Sequence, residues 1–213
     1  MAYFERTGIL LIADISGYTE YLTAEELAHA EGIISRLLEA TIGAAGDGLK
    51  VAKLEGDAIF FVGEDAKVGA EVLRAAIERM FEGFHACRAE VTATNQCRCQ
   101  GCLTAAKLGV KFVAHRGRFG EHVIHGMHEL IGADVIVVHR LLKNTVGLRQ
   151  YAAFTAPLVE AWGNQVPAGG VRHVDQYEHI GRVELWVWDL GAGAPGGPGS
   201  DSRIPFESTG GQS

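Results

Sequence analysis

A chain of 213 residues, 47% of them hydrophobic and 21% charged, has the composition of one folded domain with a sizeable core. No stretch approaches the roughly 20 consecutive apolar residues of a membrane-spanning helix. The opening MAYFERTG lacks the basic and apolar regions of a secretory leader, so a cytoplasmic protein without membrane contact is expected. The net charge of −7 argues against electrostatic wrapping of nucleic acid.

Residues 8–14 form an apolar run ending in Asp14, which reads as a buried strand. Thr23 and Glu26 have capping-box spacing, and Leu27, Ala30, Ile34, Leu37, Leu38 and Ile42 recur at helical intervals, predicting a helix over 24–44. LKVAKLEGDAIFFV reads as a hairpin that turns at Glu55 and Gly56. Val68, Val72, Ala76, Met80 and Phe84 predict a second helix over 65–86, and LGVKFVAH alternates as a strand. A third helix is expected over 134–143, a short one from Thr155, and a closing strand at HIGRVELWVWDL. The order is βαββαβ with later additions. It implies an α+β, ferredoxin-like core: an antiparallel sheet with helices on one face. The Gly-, Pro- and Ser-rich segment 191–213 is expected to be a disordered tail to a domain over 1–190.

Asp14 closes one strand and Asp57 follows the hairpin turn. If the two strands are neighbours, both carboxylates emerge at one edge of the sheet. Such a pair repels unless it shares a proton or holds a cation, and Mg²⁺ is commonly held by one or two carboxylates plus substrate phosphates. The alternative is local: an Asp at a strand end caps the next turn, and an Asp after Gly is common in hairpins.

ADISGYT, followed some forty residues later by KLEGDAIFF, resembles the catalytic domain of class III nucleotidyl cyclases. LGVKFVAHRG is similar to that family's strand ending in His-x-Gly, and LIGADVIVVHRL to its Gly-x-x-Val-Asn-x-Ala-x-Arg helix. HIGRVELWVWDL looks like its closing strand, so the resemblance covers about residues 7–190. It implies that Asp14 and Asp57, with the Ile15 carbonyl, hold two Mg²⁺ or Mn²⁺ ions. It implies a nucleoside triphosphate, ATP foremost, as the ligand. Lys53 falls at a base-reading position and Glu129 aligns with a second one. Arg140 falls on the transition-state arginine. A homodimer is implied, with metals from one subunit and Arg140 and Glu129 reaching in from the other. The product would be a 3′,5′-cyclic nucleotide and pyrophosphate.

One departure bears on activity. The family's ribose-orienting asparagine aligns with Ile136, which cannot hydrogen-bond a ribose. Two readings follow: a metal-dependent cyclase, or a catalytically degenerate cyclase fold serving as a nucleotide sensor or interaction module. Lys53 on a solvated strand face and Arg140 paired with a surface acid such as Glu39 are the plainer alternatives for those two residues.

Cys97, Cys99 and Cys102 form a C-x-C-x₂-C cluster within a Cys-rich insertion at about 87–104. With Cys87 as fourth ligand, or His85 or His115 in its place, they suit a structural Zn²⁺; free or redox-active thiols are the alternative. His122, His125 and His128 recur every third residue and read as surface histidines, with a second metal site as the alternative.

Overall fold

The computed structural model describes residues 4–23, 27–94, 104–166 and 169–192. Strand β1 (Phe4–Ser16) leads through the short helix α1 (Tyr18–Thr23) and α2 (Leu27–Ala44) to a hairpin, β2 (Leu49–Glu55) and β3 (Ala58–Glu64). Helix α3 (Ala70–Thr94) then precedes β4 (Gly109–Ile124), β5 (Met127–Ile131) and α4 (Ala133–Arg140). Strand β6 (Tyr151–Thr155), α5 (Ala156–Ala161) and the hairpin of β7 (Val171–Tyr177) and β8 (Gly181–Asp189) complete the order. The sheet runs β2-β3-β1-β4-β6-β8-β7, with β5 folded back on β4. The β4–β6 pairing is parallel and the other pairings are antiparallel. This is the α+β architecture with the ferredoxin-like βαββαβ core that the sequence pattern predicts.

β1 lies between β3 and β4 and is buried on both faces, which is why its sequence is a continuous apolar run rather than an alternating one. Ile9, Leu11, Ala13 and Ile15 pack with Ile33, Ile34 and Leu37 of α2 and with Leu73, Ile77, Met80 and Phe84 of α3. Leu10 and Ile12 point the other way, into a second cluster with Phe60, Val113 and the α4 residues Val135 and Val138. The two long helices share one face, as the pattern predicts. The short α4 covers the opposite face.

Several boundaries differ from the sequence reading. The helix expected over 24–44 is α2, which begins at Leu27 and is preceded by the short α1, absent from the sequence reading; the capping residue Glu26 lies outside the described residues. The second helix starts at Ala70 rather than 65. Residues 64–68 form a turn instead, with the Lys67 and Val68 amides donating to the Glu64 carbonyl at 2.9 and 3.1 Å. The helix then runs to Thr94, past the expected end, because Val91 adds another buried turn. β4 continues beyond His115 to Ile124 through polar and glycine residues, held by pairing with β1 and β5 rather than by apolar alternation.

His115 fastens three elements together on β4. Its Nδ1 lies 2.9 Å from the Thr155 hydroxyl and its Nε2 3.3 Å from Asp134 Oδ1, while the Arg118 amide donates to Asp134 Oδ2 at 2.6 Å. Burial lowers the His115 pKa against the opposing pull of Asp134. With the ring neutral, Nε2–H donates to the carboxylate and Nδ1 accepts the threonine hydroxyl. The network ties β4, β6 and α4, and both ring nitrogens of His115, the substitute zinc ligand considered from the sequence, are engaged in it. Gly117 permits the close approach: a Cβ there would sit 2.3 Å from Asp134 Cβ. Gly117→Ala is therefore expected to destabilise the fold by about 2–3 kcal/mol, measured by urea unfolding. An unchanged midpoint would show that the Asp134 contact yields without cost.

Candidate functional site

The turn between β2 and β3 is Gly56-Asp57, with Gly56 at φ 67°, a conformation that glycine adopts without strain. Asp14 stands opposite Ala58 on β3, and the Ile15 amide donates to the Asp57 carbonyl at 3.2 Å. Pairing of β1 with β3 thus carries Asp14 and Asp57 to the same end of the sheet, as expected from the sequence. Burial, then the neighbouring Asp14 charge, raises the Asp57 pKa to about 6.

Asp14 has a cationic partner of its own. Lys111, opposite it on β4, places Nζ 3.0 Å from Asp14 Oδ2 and also donates to the Leu142 carbonyl at 3.2 Å. The two side chains are 17% and 21% exposed, so the pair is shielded from solvent more than a surface ion pair is. A lone lysine inside an apolar strand was the matching signal to the lone aspartate of β1, and the sequence reading passed over it.

Together these residues floor an open cleft of about 530 Å³. Its walls are the turn Ser16–Gly17 and the start of α1 on one side, and residues 142–151 on the other. That second wall brings Lys143, Asn144, Arg149 and Tyr151, none of which the motifs singled out as site residues. Tyr151 donates to Asn144 Oδ1 at 3.0 Å, and Asn144 donates to the Leu141 carbonyl at 2.6 Å. Burial above all pushes the Tyr151 phenol up to about 12, so it stays a protonated donor. The donor set suits a hard divalent cation: two carboxylates whose mutual repulsion a cation would relieve, in a cleft with room for a bound ligand.

Ile15 also lines this cleft, whereas Lys53, Glu129 and Arg140 stand outside its lining. Lys53 on β2 and Glu129 on β5 are joined by two hydrogen bonds of 2.7 and 2.8 Å. β2 and β4 are separated in the sheet by β3 and β1, so the β4–β5 hairpin must curl across the sheet to make this contact. Hydrogen bonding to Glu129 raises the Lys53 pKa. Arg140 is exposed at the last residue of α4, and Ile136, on the same helix, is 59% exposed. His139 anchors that helix to β2 through Glu55 at 2.8 Å.

Cys87 sits on α3 with Sγ 3.5 Å from the Arg36 carbonyl of α2, and burial raises its thiol pKa. Cys97, Cys99 and Cys102 lie outside the described residues. Among the described residues no group of three or more His, Cys, Asp or Glu side chains is arranged to hold a metal. The three histidines do not converge: His122 pairs with Glu129, His128 with Val123, and His125 occupies the turn at φ 55°. No helix among the described residues is long and apolar enough to cross a membrane.

Solved structures with this fold include adenylyl and guanylyl cyclases. The adenylyl cyclase CyaB from P. aeruginosa superposes with a TM-score of 0.64 at 15% identity, covering 89% of this chain and 97% of that one. The guanylyl cyclase Cya2 gives 0.61 at 17% identity, covering 88% and 93%. A bacterial light-regulated adenylyl cyclase gives 0.68 at 14% identity over 87% of this chain, which spans 53% of that longer chain. At these identities the likeness is one of fold. By sequence, the chain is 34% identical over 157 residues to the uncharacterized protein Rv2561/Rv2562 of Mycobacterium tuberculosis (strain ATCC 25618 / H37Rv), covering 74% of this chain and 73% of that one. A profile described as Protein of unknown function (DUF2652) matches residues 34–151. The chain belongs to the DUF2652 family, with the fold of a class III nucleotidyl cyclase catalytic domain.

Proposed function

We propose that this protein binds a metal-bound nucleoside triphosphate, ATP foremost, in the cleft between Asp14 and Asp57. The observation that carries the reading is the Asp57 carboxylate itself. Folding raises its pKa from 3.8 to about 6, through burial first and the Asp14 charge second. A carboxyl whose pKa rises on folding holds its proton more tightly in the folded state. Its ionised form therefore weakens the fold, and stability is lost as pH rises from about 4 through 6. A site that keeps a destabilising acid beside a second one is a candidate for ligand binding. Bound at these carboxylates, Mg²⁺ or Mn²⁺ would supply Lewis-acid stabilisation of charge on the phosphates.

The class III resemblance carries the reading to chemistry: a homodimer forming a 3′,5′-cyclic nucleotide and pyrophosphate. The separation of the predicted residues into two sets supports this arrangement. Asp14 and Asp57 lie in the cleft, while Arg140 and the Lys53–Glu129 pair lie away from it, available to the cleft of a second copy. Ile136 favours the second reading, a protein that binds the metal–nucleotide as a sensor with little turnover. An exposed isoleucine on α4 offers no hydrogen bond where the family orients the ribose.

Two measurements bear on these readings. Purified protein incubated with ATP or GTP and Mn²⁺ is expected to bind nucleotide, and Asp57→Ala to abolish that binding. Mass spectrometry then separates the two readings: cyclic product in the wild type marks a cyclase, and bound but unconverted nucleotide marks a sensor. Absence of both binding and product would sink the proposal. Independently, Asp57→Asn in metal-free buffer should stabilise the fold at pH 7.5 by about 1–2 kcal/mol after allowance for solvent screening. The gain should vanish at pH 4, where Asp57 is protonated in the folded state. An equal effect at both pH values would contradict the assigned cause.

A further inference from the structure

The cleft carries Asp14 and Asp57 at its floor and two basic side chains on its 142–151 wall, with Glu20 as a third acid in the lining. Arg149 forms part of that wall, and its Nη2 reaches the turn that follows Asp14: a Cβ on Gly17 would lie 3.2 Å from it. Among the described residues its ion-pair contact is one long approach, 3.8 Å, to Glu20 Oε2. The side chain is nevertheless only 36% exposed. A guanidinium offers five donors in a planar fork matched to carboxylate and phosphate oxygens, and this fork is held at the cleft rather than spread over the surface. Lys143 stands on the same wall, exposed, where the chain leaves α4. Lys111, the third cation of the cleft, is already committed to Asp14 and the Leu142 carbonyl.

We infer that Arg149, assisted by Lys143, is the phosphate-receiving side of the cleft, so that one copy of the chain grips both the metal and the polyphosphate of its ligand. The inference rests on the reading that the cleft takes a metal–polyphosphate. It assigns phosphate binding to residues of the same wall rather than to Arg140, which lies outside the cleft. Gly17 has a part in it, because its φ of 88° and its missing side chain leave the space into which the guanidinium reaches. Ligand phosphates would thus meet Arg149 and Lys143 in the same cleft whose acids, Asp14 and Asp57, would hold the divalent ion.

The test is calorimetric titration of the full chain with inorganic tripolyphosphate in the presence of Mn²⁺. Arg149→Gln is expected to weaken binding about tenfold, the loss of a charge-assisted pair at a partly exposed site. Arg149→Lys should recover part of that loss, and Lys143→Gln should weaken binding by about threefold. Lys143 is exposed, so its variant remains informative if Arg149→Gln does not fold. Wild-type affinity in Lys143→Gln and in a folded Arg149→Gln, with binding lost in Asp57→Asn, would overturn this inference and leave the metal site standing. Failure of the wild type to bind would remove the metal–polyphosphate reading and this inference together.

Discussion

A strand packed on both faces has no side on which to carry charge, and that constraint organises this molecule. From Ile9 to Ala13 every side chain of β1 lies in one of two cores, and the first acid after that run is Asp14, near the strand's end at Ser16. The strands that bury β1 also deliver what surrounds Asp14. Antiparallel β3 brings Asp57 through its turn, and antiparallel β4 brings Lys111. The charged cleft is therefore a consequence of sheet topology: the ends of three adjacent strands meet there, and the 142–151 segment closes over them.

Charge within the cleft is only partly balanced. Lys111 compensates Asp14, and Asp57 is left with a raised pKa beside it. With Lys111 committed to Asp14, Asp57 held at a raised pKa and Arg149 only loosely paired with Glu20, the lining carries charges of both signs that a ligand could meet. The residues that a cyclase would use to orient base and ribose are arranged differently. Lys53 and Glu129 satisfy one another, and Ile136 presents a methyl-rich surface. Nucleotide reading by Lys53 and Glu129 would require that ion pair to open, a modest cost for a partly exposed pair.

Much of this was legible in the sequence, and the reason is burial. Strands and helices that fill the core announce themselves by apolar periodicity, so β1, the β2–β3 hairpin, α2 and α4 are legible within a few residues, and α3 is legible as an element though not at its ends. The junction of Asp14 with Asp57 followed from the same reading. Elements stabilised by backbone pairing at an edge were not readable: β7, with Val171 and Val174 exposed and Asp175 buried, has no apolar alternation to detect. The distal half of β4 is hidden for the same reason. Lys111, Asn144, Arg149 and Tyr151 escaped notice because they converge from segments some forty residues apart. Spacing along the chain carries no trace of that meeting, and the 142–151 wall has neither strand nor helix periodicity where it lines the cleft.

The most direct test of the account is an electron paramagnetic resonance titration of Mn²⁺ against wild type, Asp14→Asn and Asp57→Asn, without nucleotide. If the two acids form a cation site, the wild-type protein quenches the free-ion signal at substoichiometric metal, and each variant weakens that binding by an order of magnitude or more. Equal quenching by all three proteins, or none by the wild type, would contradict the central claim. The acids would then be an ion-paired strand end and a turn residue, with no cation site between them.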